Sequence, residues 1–392
     1  MMVAKQVMKQ INSGNLIRKM FQESRRLIAE YGRDNIYDFT LGNPTFEPPP
    51  AVTAAIIQVM RSGEKGIHRY MPNQGLEETR SFVAEKLQAK HDLPFSSHLV
   101  TMCVGAGGGL NIISKSLLNP ADEVIVSAPH FPEYVHYTAN HGGTLVVVPS
   151  SPSFHLDLNT IERAINPKTC AVLINSPNNP TGVAYRKGEL DELGDLLRKK
   201  SRDRELPIYL ISDEPYEKIC YDGLITPSPF QAYEHTILVT SFSKDLAIPG
   251  ERIGYVAVSP SCYDAGNIVS ALNCAQLSLG FVNAPALMQK ILPLLGDAIV
   301  DIAPYQKNRD LLYTCLRDLG VECVKPQGAF YLFPRTPIPD DLAFVKKAAE
   351  HKVMLVPGTA FGSPGFVRIS YCFETEMIER SLPALRDVFS LR

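Results

Sequence analysis

The chain has 392 residues, enough for a large core and for more than one domain. Its 39 Lys+Arg and 41 Asp+Glu leave a formal net charge of −2, which argues against the basic stripe that a broad nucleic-acid footprint needs. No apolar run reaches the roughly 20 residues of a membrane span. The N-terminal stretch lacks the apolar h-region of a signal peptide, and the eight cysteines form no C-x-x-C pair, so reduced thiols in a cytoplasm are expected, with no disulfides and no metal centre.

In chain order, "IRKMFQESRRLIAEY" reads as an N-terminal helix. The middle of the chain then alternates short apolar runs with helical patterns. "HLVTMCV" leads into a glycine cluster and "LNIISKSLL"; "DEVIVSAP", "GTLVVVPS" and "TCAVLINSP" follow. "KGELDELGDLLRKK" is a predicted helix with Leu190, Leu193 and Leu197 on one face, and its acidic start and basic end suit the helix dipole. "LPIYLISDEP", "HTILVTSFSK" and "ERIGYVAVSP" complete the set of strands. Strands apolar throughout and separated by helices predict a mainly parallel sheet covered on both faces. Helical patterns from about residue 290, with "GAFYLFP" and "FVRISYC" as short strands, predict a second, smaller α+β domain on which the N-terminal helix packs.

Such sheets bind ligands at the carboxyl ends of their strands, and the polar residues cluster there. Gly105 follows one predicted strand, Asn175 to Asn179 another, Asp213 a third and Ser241 to Lys244 a fourth. A lysine in a desolvated pocket loses proton affinity and becomes a nucleophilic amine. Asp213 could hold a cationic ring nitrogen. The run Gly105 to Gly109 opens a helix, whose N-terminus suits phosphate, and Arg252, eight residues after Lys244, could clamp the same phosphate. Amine, acid, phosphate loop and arginine together describe a pyridoxal 5′-phosphate (PLP) site. Taken singly the signals are weaker: Asp213 could cap a turn, "NNPTG" is an ordinary turn by composition, and His68 and Arg69 read as solvated loop residues.

"SPNNPTG", "SDEPY", "SFSKDLAIPGERIGY" and "PGTAFG…FVRIS" strongly resemble the class I/II aminotransferases of PLP fold type I, the family of aspartate aminotransferase. The resemblance runs from "LGNP" at residue 41 to Arg368. It implies an α/β fold, with a large domain built on a mainly parallel seven-stranded sheet and a smaller α+β domain. The expected division is an N-terminal segment 1–45 packing on the small domain, a PLP-binding domain 46–288 and a C-terminal domain 289–392. It implies that Lys244 forms the Schiff base and moves the substrate proton, that Asp213 keeps the ring nitrogen protonated, and that Asn179 and Tyr216 meet the ring oxygen. Phe131 would stack on the ring. The amides of Ala106 and Gly107, with Ser241, Ser243 and Arg252, would hold the phosphate. Arg368 would grip the substrate α-carboxylate near Gly42, and Tyr70 would reach the neighbouring site of a homodimer. The implied activity is ping-pong transfer of an amino group from an L-amino acid to a 2-oxo acid, by family habit 2-oxoglutarate.

Two departures bear on specificity. The phosphate loop carries Ala106 where Ser or Thr is common, and Asn273 to Pro285 contains no Lys or Arg where some dicarboxylate-specific relatives find a side-chain partner. Neutral or aromatic donors are therefore expected over aspartate, unless Arg69 turns into the neighbouring subunit's pocket. A carbon–sulfur β-lyase on the same fold is the first alternative. A PLP-sensing regulator is remote, since only about forty residues precede "LGNP", too few for a DNA-binding domain.

Overall fold

The computed structural model describes residues 3–4, 7–8 and 16–391. Its strands are β1 (Tyr37–Asp38), β2 (Val100–Cys103), β3 (Glu123–Ala128), β4 (Thr144–Pro149), β5 (Thr169–Asn175), β6 (Tyr209–Asp213), β7 (Thr236–Ser241), β8 (Gly254–Val258), β9 (Tyr331–Leu332), β10 (Val353–Met354), β11 (Val356–Pro357) and β12 (Val367–Ser370). Seven of them form one sheet in the order β2-β8-β7-β6-β5-β3-β4. β8 runs antiparallel to both of its neighbours, while every other pair is parallel.

The central strands β5, β6 and β7 are almost wholly buried, as continuous apolar runs in a helix-covered sheet should be. β4 stands at the edge and is the most exposed of the seven. The helix Lys187–Ser201 buries Leu190, Leu193 and Leu197, as its periodicity predicts. Glu189 in its first turn accepts from the Arg186 amide at 2.9 Å, and Arg198, Lys199 and Lys200 close its last turn.

The glycine cluster is helix rather than loop: Gly105–Leu117 is one continuous element. Gly109 lets that helix lie directly on the sheet, since a Cβ there would come 2.5 Å from a Val239 methyl and 3.1 Å from Cys103 Sγ. The short crossover turn from β2 leaves Gly105 at φ +67°, in the left-handed region that favours glycine.

A separate core cluster gathers Phe39, Tyr305, Leu312, Phe330, Phe344, Ile369 and Phe389, drawn largely from the last hundred residues. The antiparallel set β11-β12-β9 lies here. The N-terminal segment joins this part of the chain. β1 pairs in parallel with β10, and Leu27 of the helix Leu16–Tyr31 packs with Ile36 and Met354.

Candidate active site

Four strand ends and one strand start meet at the carboxyl edge of the large sheet. β2 delivers the helix that begins at Gly105, β5 ends on Asn175, β6 on Asp213 and β7 on Ser241. Because β8 is antiparallel, it begins where its neighbours end, and Arg252 just before it arrives at the same edge. Arg252 takes φ +55° after the short 3-10 turn Pro249–Glu251. Its guanidinium lies against the first residue of the phosphate-type helix, where a Cβ on Gly105 would sit 2.7 Å from Nη2. Glycine there leaves a cradle for a ligand between helix amides and arginine. The amides of a helix's first turn lack intrahelical partners and remain free to bind an anion.

Asp213 is 5% exposed. Tyr134 Oη donates to its Oδ2 at 2.6 Å, while Oδ1 has no partner among the described residues. Burial pushes its carboxyl up to about 7, and the Tyr134 hydrogen bond only partly offsets this. Asn175 ties the neighbouring loop to β6. Its Nδ2 donates to the Asp213 carbonyl at 2.8 Å, and its Oδ1 accepts from the Asn179 amide at 2.8 Å.

Lys244 donates from Nζ to the Gly42 carbonyl at 2.7 Å and lies 5.6 Å from the Phe330 ring centre. Desolvation lowers the ammonium to about 8; Arg368 and Arg252 push the same way, and Cys372 opposes them. Arg368 is 2% exposed. It donates from Nη1 to Asn179 Oδ1 at 3.0 Å and from Nη2 to the Thr40 carbonyl at 2.5 Å, while Nε has no partner among the described residues. The guanidinium lies over Tyr331 at 4.6 Å and Phe361 at 5.0 Å from the ring centres. Tyr216 Oη shares a hydrogen bond with Tyr331 Oη at 2.9 Å, and burial raises the Tyr216 phenol well above its ordinary value.

Lys244, Asp213, Asn179, Tyr216, Gly42, Arg252 and Arg368 thus belong to one connected cluster. Ala106, Gly107, Ser241 and Ser243 stand on the phosphate-type helix and on the turn that carries Lys244. Phe131 is half-buried and meets Tyr134 edge-on at 5.5 Å between centres. Tyr70 lies apart, 89% exposed.

Four contributors escaped the sequence reading. Tyr134 holds Asp213, and Tyr137 places its hydroxyl beside Gly107, 2.9 Å from where a Cβ would lie. Tyr331 bridges Tyr216, Gly42 and Arg368, and the Thr40 carbonyl accepts from Arg368. The tyrosines of "HFPEYVHY" follow the end of β3 by six and nine residues, which is the one local signal that could have found Tyr134 and Tyr137.

The residues fit PLP. The orphaned oxygen of a buried carboxyl suits a ring N–H, the glycine cradle beside Arg252 suits a phosphate, and the desolvated amine of Lys244 suits an aldehyde.

Comparison with known proteins agrees with this geometry. Residues 34–385 match the family model described as aminotransferase class I and II. An aspartate aminotransferase of Thermotoga maritima is 32% identical over 364 residues, covering 92% of this chain and 93% of that protein. An aminotransferase structure from Eubacterium rectale superposes with a TM-score of 0.95 at 40% identity, covering all of both chains. The aspartate aminotransferase of Thermus thermophilus with maleate gives a TM-score of 0.88 at 29% identity, covering 98% of this chain and 99% of that one.

Proposed function

The chain belongs to the class I and II aminotransferase family and is a PLP-dependent transaminase; on that premise we propose the roles of its residues and the class of its donor. The observation that carries the assignment is the meeting, at one sheet edge, of a desolvated amine and a buried carboxyl with one unpartnered oxygen. When bound, PLP supplies an aldehyde carbon that links to amines and a cationic ring that withdraws electrons.

Lys244 Nζ is the covalent anchor and the base that removes the substrate Cα proton, with the Gly42 carbonyl fixing its position. Asp213 holds the proton on the ring nitrogen, and Tyr134 prevents the carboxylate from turning away. A cation beside Asp213 favours its charged form, so a site that leaves the carboxyl near 7 by itself is drawn to carboxylate by the group it holds. Tyr216 and Asn179 orient the ring through its oxygen. The amides of Ala106 and Gly107, with Ser241, Ser243 and Arg252, hold the phosphate, and Phe131 covers the ring face. Arg368 grips the substrate α-carboxylate; Asn179, Thr40 and the two aromatic faces already hold its fork in place, so little rotamer freedom is lost on binding. We place the PLP-binding domain at 46–288 and the small domain at 289–392, with segment 1–45 packing on the latter. The active unit is a homodimer in which Tyr70 completes the neighbouring site, and the exposure of that large side chain on the single chain supports this.

For the donor, a neutral or aromatic L-amino acid fits best, with 2-oxoglutarate as acceptor. Arg368 and Arg252 are committed to the α-carboxylate and the phosphate, and Asn273 to Pro285 offers no further cation. Aspartate is the second reading. It is favoured by the activity named for the Thermotoga relative and by Arg69, exposed beside Tyr70 on the stretch that would reach the partner's pocket. The deciding experiment compares kcat/KM for aspartate, alanine, methionine and phenylalanine with 2-oxoglutarate. An aspartate value more than about tenfold above all others, a difference of about 1.4 kcal/mol, would overturn the neutral-donor reading and make Arg69 the first residue to change.

A further inference from the structure

A cavity of about 500 Å³ lies beside the turn that carries Lys244. Thr240, Ser241 and Asp245 line it, whereas Lys244, Asp213, Asn179 and Arg368 do not. Its size falls within the roughly 300–1,000 Å³ of small-molecule sites. One wall is apolar, with Phe82, Leu87, Phe242 and Leu292.

The rest of the lining is polar, and its charges do not cancel. Each lysine there is already paired: Lys86 with Asp297 at 2.7 Å, Lys90 with Glu217 at 2.9 Å and Lys218 with Asp245 at 3.0 Å. Glu214 is the acid left over. It is 6% exposed, its Oε1 accepts from Ser212 Oγ at 2.7 Å, and no cation is paired with it among the described residues. Burial pushes this carboxyl up to about 7, and the nearby Lys90 charge only partly offsets this. His91 and Asp245 also line the cavity, and Asp245 Oδ1 is without a hydrogen-bond partner among the described residues. Burial keeps the His91 ring neutral, with a proton affinity lowered to about 3. The four carboxyl groups Glu214, Glu217, Asp245 and Asp297 face only three lysines here, so the complement of this lining is a group carrying positive charge.

We propose that this cavity is a second small-molecule site, separate from the catalytic cleft, which takes a small organic ammonium. The charged nitrogen meets Glu214, and the apolar body lies against Phe82, Leu87, Phe242 and Leu292. The probe is N,N-dimethylbenzylamine, a tertiary amine that is protonated near neutral pH and cannot condense with the cofactor aldehyde. It is titrated into the PLP-loaded enzyme by calorimetry and located by crystal soaking. Saturable binding at about millimolar concentration or tighter is expected, with the nitrogen at Glu214 and with benzyl alcohol binding at least about tenfold more weakly. Glu214→Gln keeps the shape but removes the charge and should weaken binding by at least about tenfold. Leu295→Phe, which fills part of the cavity and leaves Glu214 in place, should also abolish it. Absence of saturable binding, equal binding of the alcohol, or an amine found only in the catalytic cleft would each overturn the proposal. Should Glu214→Gln fail to fold, the alcohol comparison and Leu295→Phe decide it.

Discussion

At the scale of single residues, the account rests on what burial does to two charges. Burial lowers the Lys244 ammonium to about 8, so the reactive free amine becomes the major form as pH rises through that value. The rate at which apoenzyme takes up PLP covalently, followed by its visible absorption, should climb with pH and level off above about 8; a midpoint near that of an ordinary lysine would contradict the desolvated setting. Borohydride treatment of the loaded protein should leave the label on Lys244 in a peptide map. Asp213→Asn keeps the shape and loses the charge. It should lower kcat by roughly a hundredfold or more while the cofactor stays bound, and near-normal turnover would remove Asp213 from the mechanism. Lys244 and Asp213 were legible in the sequence because a charge directly after an apolar run has few bland explanations. Tyr134, Tyr137 and Tyr331 were not legible. A tyrosine in an apolar context reads as core, and only the tertiary arrangement reveals that its hydroxyl meets Asp213 or the Arg368 cluster.

At the scale of elements, glycines and one strand direction build the phosphate end of the site. Gly109→Ala would push a methyl into Val239 Cγ2 at 2.5 Å and lift the helix Gly105–Leu117 off the sheet. Overpacking of this kind costs about 1–3 kcal/mol. The variant should therefore unfold at lower denaturant concentration and bind PLP more weakly, and an unchanged midpoint with unchanged affinity would show that the helix is not seated there. The strands themselves were readable as apolar runs between helical patterns. The antiparallel sense of β8 was not, because a strand buried on both faces has the same composition in either direction. That reversal is what delivers Arg252 to the carboxyl edge. The glycine cluster was read as a loop that opens a helix, whereas it forms the helix's own first turns. Composition alone cannot distinguish glycine needed for a turn from glycine needed for close packing.

At the scale of the whole molecule, the proposed homodimer turns on Tyr70, a large side chain left exposed on the chain. Mixing Tyr70→Phe with Lys244→Ala subunits should yield hybrids with one fully native site, and activity above the mean of the two parents. Activity equal to that mean, or a monomer in sedimentation at working concentration, would place every site within one chain. The seven-stranded, mainly parallel sheet was legible from the alternation of apolar runs and helical patterns. The donor was not, because no local pattern in the sequence shows which groups converge around a substrate side chain. The most direct test of transamination itself is a single turnover: PLP-loaded enzyme mixed with a reactive amino acid and no acceptor. A ping-pong transaminase forms about one equivalent of 2-oxo acid per chain, stops, and resumes only when 2-oxoglutarate is added. Continued release of pyruvate and ammonia without any acceptor would contradict the account and identify a β-lyase instead.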